Sequence, residues 1–391
     1  MADHAVGVVG LGGLGSAAAY WLARRGVDVV GFEQFELGHV RGASHENSRI
    51  IRRSYHTPGY VRLAAAAFDA WRAVEQESGT EIVTVTGGID LFPPGAALDH
   101  GMYTSSLAAE GVAFEVVDGA EVRRRWPPFA AGTTVTDDVM AIVSPDTGIV
   151  PAGRGTATLQ ALAVEHGATL HDRTPVRALR PVGGEVDVVT DTGTHRCETV
   201  VVAADAWTAN LVAPLGVELR LAVQLEQVTY FDAPDLQAFQ PGRFPVWIWM
   251  DDPSFYGFPV YGDTTAVKAS EDCGGQPVDP DLRSFDTDVA AEDRLATFVS
   301  DTFGDTIGRP RRSSTCLYTL TSDRDFVLDR LPDHPQVLVA LGAAHGFKFA
   351  SWFGRTAAEL VVDGSTAHDL GPFGLDRPAL AQEPARNAWL V

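Results

Sequence analysis

The sequence predicts an α/β chain in which a Rossmann-like dinucleotide-binding domain is interleaved with an α+β domain built on a largely antiparallel sheet. Three observations predict it. The chain begins with an apolar strand, a glycine turn, an Ala-rich helix and a second strand in register. Two later apolar runs, Thr199–Ala204 and Gln336–Leu341, read as further buried strands of the same sheet. The block after Thr84 does not continue that pattern, and the stretch from Val217 to Ser314 is strand-rich and aromatic. Residues 1–85, 145–216 and 315–391 are therefore assigned to the first domain, and residues 86–144 and 217–314 to the second.

Ala5–Val9 is short and Val-rich, the composition of a parallel strand covered on both faces. Gly10, Gly12 and Gly15 follow on a GxGxxG spacing, and Ser16–Arg25 reads as a helix. The first glycine makes the tight turn, the second lets backbone approach a pyrophosphate, and the third lets helix and strand pack closely. The second strand, Val27–Phe32, ends at Glu33. An acid about 20 residues beyond the last glycine can accept from the ribose hydroxyls of an adenosine. The motif does not choose between NAD and FAD, and an ordinary Gly-rich turn competes with both.

Residues 38–53 begin small and polar and read as a loop leaving the second strand. Ser44, His45, Ser48, Arg49 and Arg52 in it could donate to phosphate, a cofactor ring or a substrate carboxylate; a solvated basic loop competes, but the cluster of Arg49, Arg52 and Arg53 in a chain of net charge −21 favours anion binding. Tyr60–Glu77 has helical spacing behind Pro58. Thr84–Phe92 reads as strand, turn and strand, Leu98–Glu110 as a helix, Ala113–Val117 as a strand and Glu121–Trp126 as a short helix stopped by Pro127. Arg154–His166 is predicted helical, and Ala168–Leu170 and Glu185–Thr190 as strands. In the aromatic block, Phe255–Pro259 and Ala266–Lys268 form a hairpin-like pair that could wall a pocket. Each ring there, taken singly, is a core residue first. Asp293–Phe303 reads as a helix. The strand at 336–341 ends in Gly342-Ala343-Ala344-His345-Gly346-Phe347-Lys348, and Ala350–Val362 reads as a helix, repeating the device at the start of the chain.

The formal net charge of −21 argues against nucleic acid and anionic membrane surfaces as partners. No apolar run approaches the roughly 20 residues of a spanning helix, and no signal peptide precedes the first strand, which points to the cytoplasm. Three scattered cysteines suggest neither a disulfide framework nor a zinc site. Of the 30 Lys and Arg residues, only Lys268 and Lys348 are lysines. A lysine kept in an Arg-biased chain suggests a task that needs a compact ammonium whose pKa can move.

These residues resemble the monomeric sarcosine oxidase and N-methyltryptophan oxidase family of the D-amino acid oxidase superfamily. The resemblance is carried by Gly10–Gly15 with Glu33, Ser44-His45 with Arg49–Arg52, Phe255–Pro259 with Lys268, Cys316-Leu317-Tyr318, Asp325–Asp329 and His345–Phe349, and it spans nearly the whole chain. It implies FAD rather than NAD, bonded covalently through Cys316; a buried inert thiol is the competing fate of that cysteine. It implies that Lys268 helps O2 accept electrons, that Arg52 and Lys348 hold the substrate carboxylate, that Tyr256 and Tyr318 line the substrate pocket, and that His45 and Arg49 lie near the flavin ring. The cofactor set it implies is Gly10, Gly12, Gly15, Glu33, Ser44, His45, Arg49, Cys316, His345, Gly346 and Lys348, with Lys268, Arg49, His45 and Tyr256 as the catalytic group. No metal is expected. The partners implied are a small amino-acid substrate and O2, in a monomer.

Two positions depart from that pattern. Asp272 stands four residues after Lys268, where the family often has His, and Asp205 precedes Ala206-Trp207, where it tends to have Gly. The function expected is oxidation of N-methyl or other secondary amino acids to an imine, then formaldehyde and the demethylated amino acid, with hydrogen peroxide formed. The alternatives are oxidation of a cyclic imino acid or a biosynthetic amine, an NAD-dependent dehydrogenase, and a non-catalytic flavoprotein.

Overall fold

The computed structural model describes residues 2–262 and 264–384; Met1, Asp263 and residues 385–391, the end of the last predicted segment, lie outside the described residues. The eight-stranded sheet has a parallel centre. Val337–Leu341, Thr194–Val202, His4–Val9, Val29–Phe32 and Thr169–His171 pair side by side in that order. The valines of the central strands are buried because helices and loops cover both faces. Helices Gly13–Ala23, Ala152–Glu165 and Ala350–Val362 pack together over this sheet, the first against both of the others.

The strand Thr194–Val202 is longer than the predicted Thr199–Ala203 because it serves two neighbours. Its end pairs in parallel with Val337–Leu341, while its start pairs antiparallel with Glu185–Thr190. The sequence reading missed Val176–Val182, whose two arginines and proline blur the alternation. The turn that joins it to Glu185–Thr190 is Gly183-Gly184, both at positive φ, which is a hairpin signal.

The nine-stranded sheet is antiparallel except where Val246–Trp249 runs parallel to Gly88–Phe92. The predicted hairpin is present, with Ser254–Phe258 pairing with Val267–Asp272. Most rings of the aromatic block are core: Trp247, Trp249, Phe255 and Phe258 are buried, and Phe255 stacks on Phe298 at 3.9 Å between centroids. A small third sheet corrects the loop expected at 38–53. Arg49–Ile51 is a strand, paired with Gly148–Val150, which also pairs with Thr84–Val85. Ile50 and Ile51 are buried and drive that pairing, whereas the polar half before them stays irregular. No helix among the described residues is long and apolar enough to cross a membrane.

Candidate active site

A cleft of about 420 Å³ runs from the first glycine turn to Lys348. At its start, Gly10 has φ +88°, and a Cβ there would lie 2.6 Å from the Ala203 carbonyl oxygen. A Cβ on Gly15 would lie 1.8 Å from the Gly10 oxygen, so only glycine lets the helix approach the strand. Gly12 caps the helix without a side chain, which leaves first-turn N–H groups for an anion; the Gly13 N–H is already held by Ser44 Oγ at 2.8 Å. Glu33 is buried at the end of its strand and accepts from the Leu11 and Phe35 N–H groups at 2.9 and 3.1 Å. These bonds aim the carboxylate and leave it further lone pairs.

One face of the nine-stranded sheet forms the wall beyond the glycines. Side chains alternate along a strand, so Lys268, Ser270 and Asp272 share a face, as do Cys316 and Tyr318. Register sets Tyr230 and Phe258 opposite Lys268, Tyr256 opposite Ser270, and Glu226 opposite Cys316. Lys268 Nζ donates to the Ser48 carbonyl at 3.0 Å and to Ser48 Oγ at 3.1 Å, and lies 3.9 Å from Glu46 Oε2. Burial, then Arg49, pushes this ammonium down to about 7, while Glu46 opposes the fall. Burial works against charge on Glu46 too, yet Lys268 and hydrogen bonds from Tyr230 and Ser314 hold it down at about 2. His45 is buried and pushed down to about 4 by burial and by Arg49, so it is neutral. Burial raises Tyr256 to about 12 and Tyr318 well above the usual phenol range, so both stay protonated.

The far end gathers cations. Arg52 is buried, lies 3.4 Å from Asp90 Oδ2, and has its guanidinium 4.7 Å from the Tyr55 ring centroid. Lys348 Nζ is 5.8 Å from the same ring. Burial, then Arg52, pushes Lys348 down to about 7; Asp272 and Asp90 pull the other way. Arg324 Nη1 donates to Asp272 Oδ2 at 3.0 Å, and His345 Nε2 bonds the Arg324 carbonyl at 2.8 Å. Arg52, Arg324 and Lys348 thus meet Asp90 and Asp272 at this end of the cleft.

Of the predicted residues, Gly10, Gly12, Glu33, Ser44, Arg49 and Arg52 line the cleft, as do Tyr256, Tyr318, His345, Gly346 and Lys348. Gly15, His45, Lys268 and Cys316 do not line it. Asp272 lines it as a paired acid, and Asp205 does so at φ +45°, in the left-handed region that a short acid tolerates. Burial raises Asp205 to about 6. The sequence reading missed Glu46, Tyr55, Asp90 and Arg324. Asp90 had a signal: it is the lone acid in the apolar strand Gly88–Phe92. Ser54 Oγ also donates to Asp90 Oδ2. Asp90→Ala leaves Arg52 buried without that carboxylate and is expected to cost about 3 kcal/mol of stability, read as a lowered midpoint in denaturant.

The described residues fit a dinucleotide with a polar ring system. The glycine turn leaves space and free N–H groups for a pyrophosphate, Glu33 is set for a ribose, and buried His45 Nε2 and Asp205 Oδ2 have no hydrogen-bond partner. No group of His, Cys, Asp and Glu among the described residues could hold a metal ion.

The sequence profile of the FAD dependent oxidoreductase family matches residues 5–360. The chain is 35% identical over 390 residues to a monomeric sarcosine oxidase of Streptomyces avermitilis, covering 97% of this chain and 98% of that one. It is 29% identical over 380 residues to an N-methyl-L-tryptophan oxidase of Yersinia pestis, covering 96% and 99%. Among solved structures it is similar to the open form of NikD, described as an unusual amino acid oxidase essential for nikkomycin biosynthesis. That likeness has a TM-score of 0.83 and 28% identity, over 95% of this chain and 97% of that one.

Proposed function

We propose that this chain, which belongs to the FAD dependent oxidoreductase family, oxidises N-methyl or other secondary amino acids and passes the electrons to O2. The observation that carries the reading is the convergence of two buried cations, Arg52 and Lys348, on the Tyr55 ring at the end of the cleft that Tyr256 and Tyr318 also line. A substrate carboxylate held there fixes the position of the amine and its carbon.

The residues named above would hold the cofactor: the Gly10–Gly15 turn and helix end its pyrophosphate, Glu33 its ribose, and Ser44, His45, Arg49 and His345–Gly346 the parts nearer the ring. When bound, FAD supplies the two-electron acceptor that takes a hydride equivalent from the carbon beside the substrate nitrogen. Tyr256 and Tyr318 flank the substrate and remain protonated donors. No side chain has to act as a strong base. The imine product leaves to be hydrolysed by water, giving formaldehyde when an N-methyl carbon was oxidised. Lys268 keeps an ammonium against the Ser48 carbonyl, where it stabilises negative charge as O2 is reduced.

The test is anaerobic mixing with a panel of N-methyl and cyclic amino acids. Bleaching of the flavin by N-methyl substrates, with formaldehyde formed in air, is the expected result; bleaching by none of them overturns the reading. Cys316 is proposed as the covalent anchor. The yellow colour should then stay with acid-precipitated wild-type protein and pass to the supernatant for Cys316→Ser. The pairing of Asp272 with Arg324 at the cleft favours a substrate with a further hydrogen-bonding group, which makes a biosynthetic amine, cyclic or open, the second reading. A ring substrate yields no formaldehyde.

A further inference from the structure

We infer that Arg283 prepares Cys316 for covalent attachment, by clamping the strand that carries the cysteine to the loop after the second strand and by offering its charge to the thiolate. The inference rests on the reading of Cys316 as the flavin anchor.

Arg283 lies in the irregular segment between Gln276–Pro277 and the helix Val289–Phe303, and is only 8% exposed. Its guanidinium bridges two parts of the chain far apart in sequence. Nη1 donates to the Arg41 carbonyl at 2.7 Å and to the Val40 carbonyl at 3.3 Å. Nη2 donates to the Thr315 carbonyl at 3.0 Å and to Thr315 Oγ1 at 2.7 Å. Thr315 immediately precedes Cys316, and Val40 and Arg41 open the loop that leads to His45 and Arg49. The Phe285 ring covers the guanidinium at 4.3 Å.

Two further facts separate this arginine from an ordinary clamp. Its Nε is buried and has no hydrogen-bond partner, and no carboxylate pairs with it among the described residues. A buried cation without a counter-charge is costly unless an anion forms beside it. The residue after Thr315 along the strand, Cys316, carries the group able to become that anion, and Arg283 favours its ionised form after Arg49 and Lys268. Burial pushes the thiol up and Glu226 adds to this, while Arg49, Lys268 and Arg283 pull it down; Tyr256 and Tyr318 also face it.

Linkage forms a sulfur–carbon bond at the 8α-methyl of the flavin. One methyl C–H bond and the S–H bond would break, and those two protons would end, with two electrons, on the ring system, from which O2 would remove them as hydrogen peroxide. The thiolate is the nucleophile, so a cation beside Cys316 raises its share near neutral pH.

The experiment uses full-length apoprotein from flavin-depleted cells, mixed with FAD in air. Linkage is read as fluorescence retained by the denatured protein band, and non-covalent FAD binding is titrated on a Cys316→Ser background. Arg283→Gln is expected to slow linkage about tenfold near neutral pH, as for one pKa unit of lost thiolate, and to displace the rate–pH profile upward. Non-covalent affinity should change little, and Arg283→Lys should restore part of the rate. Linkage by Arg283→Gln at the wild-type rate with an unmoved profile overturns the inference, as does loss of FAD affinity in step with linkage in both variants. Should the Gln variant not fold, the Lys variant decides: linkage slowed at unchanged FAD affinity supports the inference, and linkage at the wild-type rate overturns it. Wild-type protein that forms no linkage, like Cys316→Ser, instead removes the reading of Cys316 and the inference with it.

Discussion

Lys348→Met should lower kcat/KM for amino-acid substrates about 100-fold, nearly all of it in KM, because a charged hydrogen bond to a carboxylate is worth roughly 1.5–3 kcal/mol. Methionine keeps the length of the side chain and removes the charge. The pH dependence of the wild type gives a sharper test. Burial and Arg52 push the Lys348 ammonium down to about 7 in the free site. A bound carboxylate favours the charged form and raises that value. Affinity for a carboxylate inhibitor is then full below pH 7 and falls as pH rises above it, about tenfold per unit, until the bound-state value is reached. Titrating the flavin spectrum with a non-oxidisable carboxylate on both sides of pH 7 measures this directly. The slope should vanish in Lys348→Met, and a flat profile in the wild type would rule out Lys348 as the carboxylate partner.

Lys268→Met is expected to leave anaerobic reduction by substrate nearly unchanged and to slow reoxidation by O2 by about 10³-fold, the scale for removing one preorganised electrostatic partner. Rapid mixing of pre-reduced enzyme with O2 separates the two half-reactions. The ammonium is pushed down to about 7, so its charge is present below that pH and lost above it. Reoxidation should therefore weaken as pH rises through 7. Glu46 stands 3.9 Å from the ammonium and favours its charged form, so Glu46→Gln should move the same decline to lower pH. Equal losses in both half-reactions of Lys268→Met would show a role in holding the site together instead.

Much of this was legible in the sequence because chemistry with few solutions leaves local marks. The turn admits no Cβ at Gly10 or Gly15, and Glu33 follows at a distance fixed by one helix and one strand. Lys268 and Lys348 stood out against a background of arginine, and both lie in or beside the cleft. What was not legible is pairing across the fold. Asp272 was visible as an acid, but its partner Arg324 comes from a turn 52 residues later and carries no local signal. Arg283 looked like any surface cation of an irregular segment, and only the tertiary structure turns it inward onto Thr315 and Arg41. The strand Arg49–Ile51 was hidden because three residues are too few to show a period, and its partners arrive from Gly148–Val150.

The order of the central strands bears on how the protein comes into being. His4–Val9 has Thr194–Val202 as a neighbour, and that strand in turn has Val337–Leu341. During synthesis the opening segment must wait for nearly the whole chain to emerge before its sheet is complete, and each closure spans well over a hundred residues. Such long-range pairing makes folding slow and exposes unfinished sheet edges on the way. Vectorial, segment-by-segment folding on the ribosome is thus closed to the nucleotide-binding half. Nascent chains shorter than about 340 residues should remain protease-sensitive and unable to retain flavin, and dependence on chaperones should be concentrated in that interval.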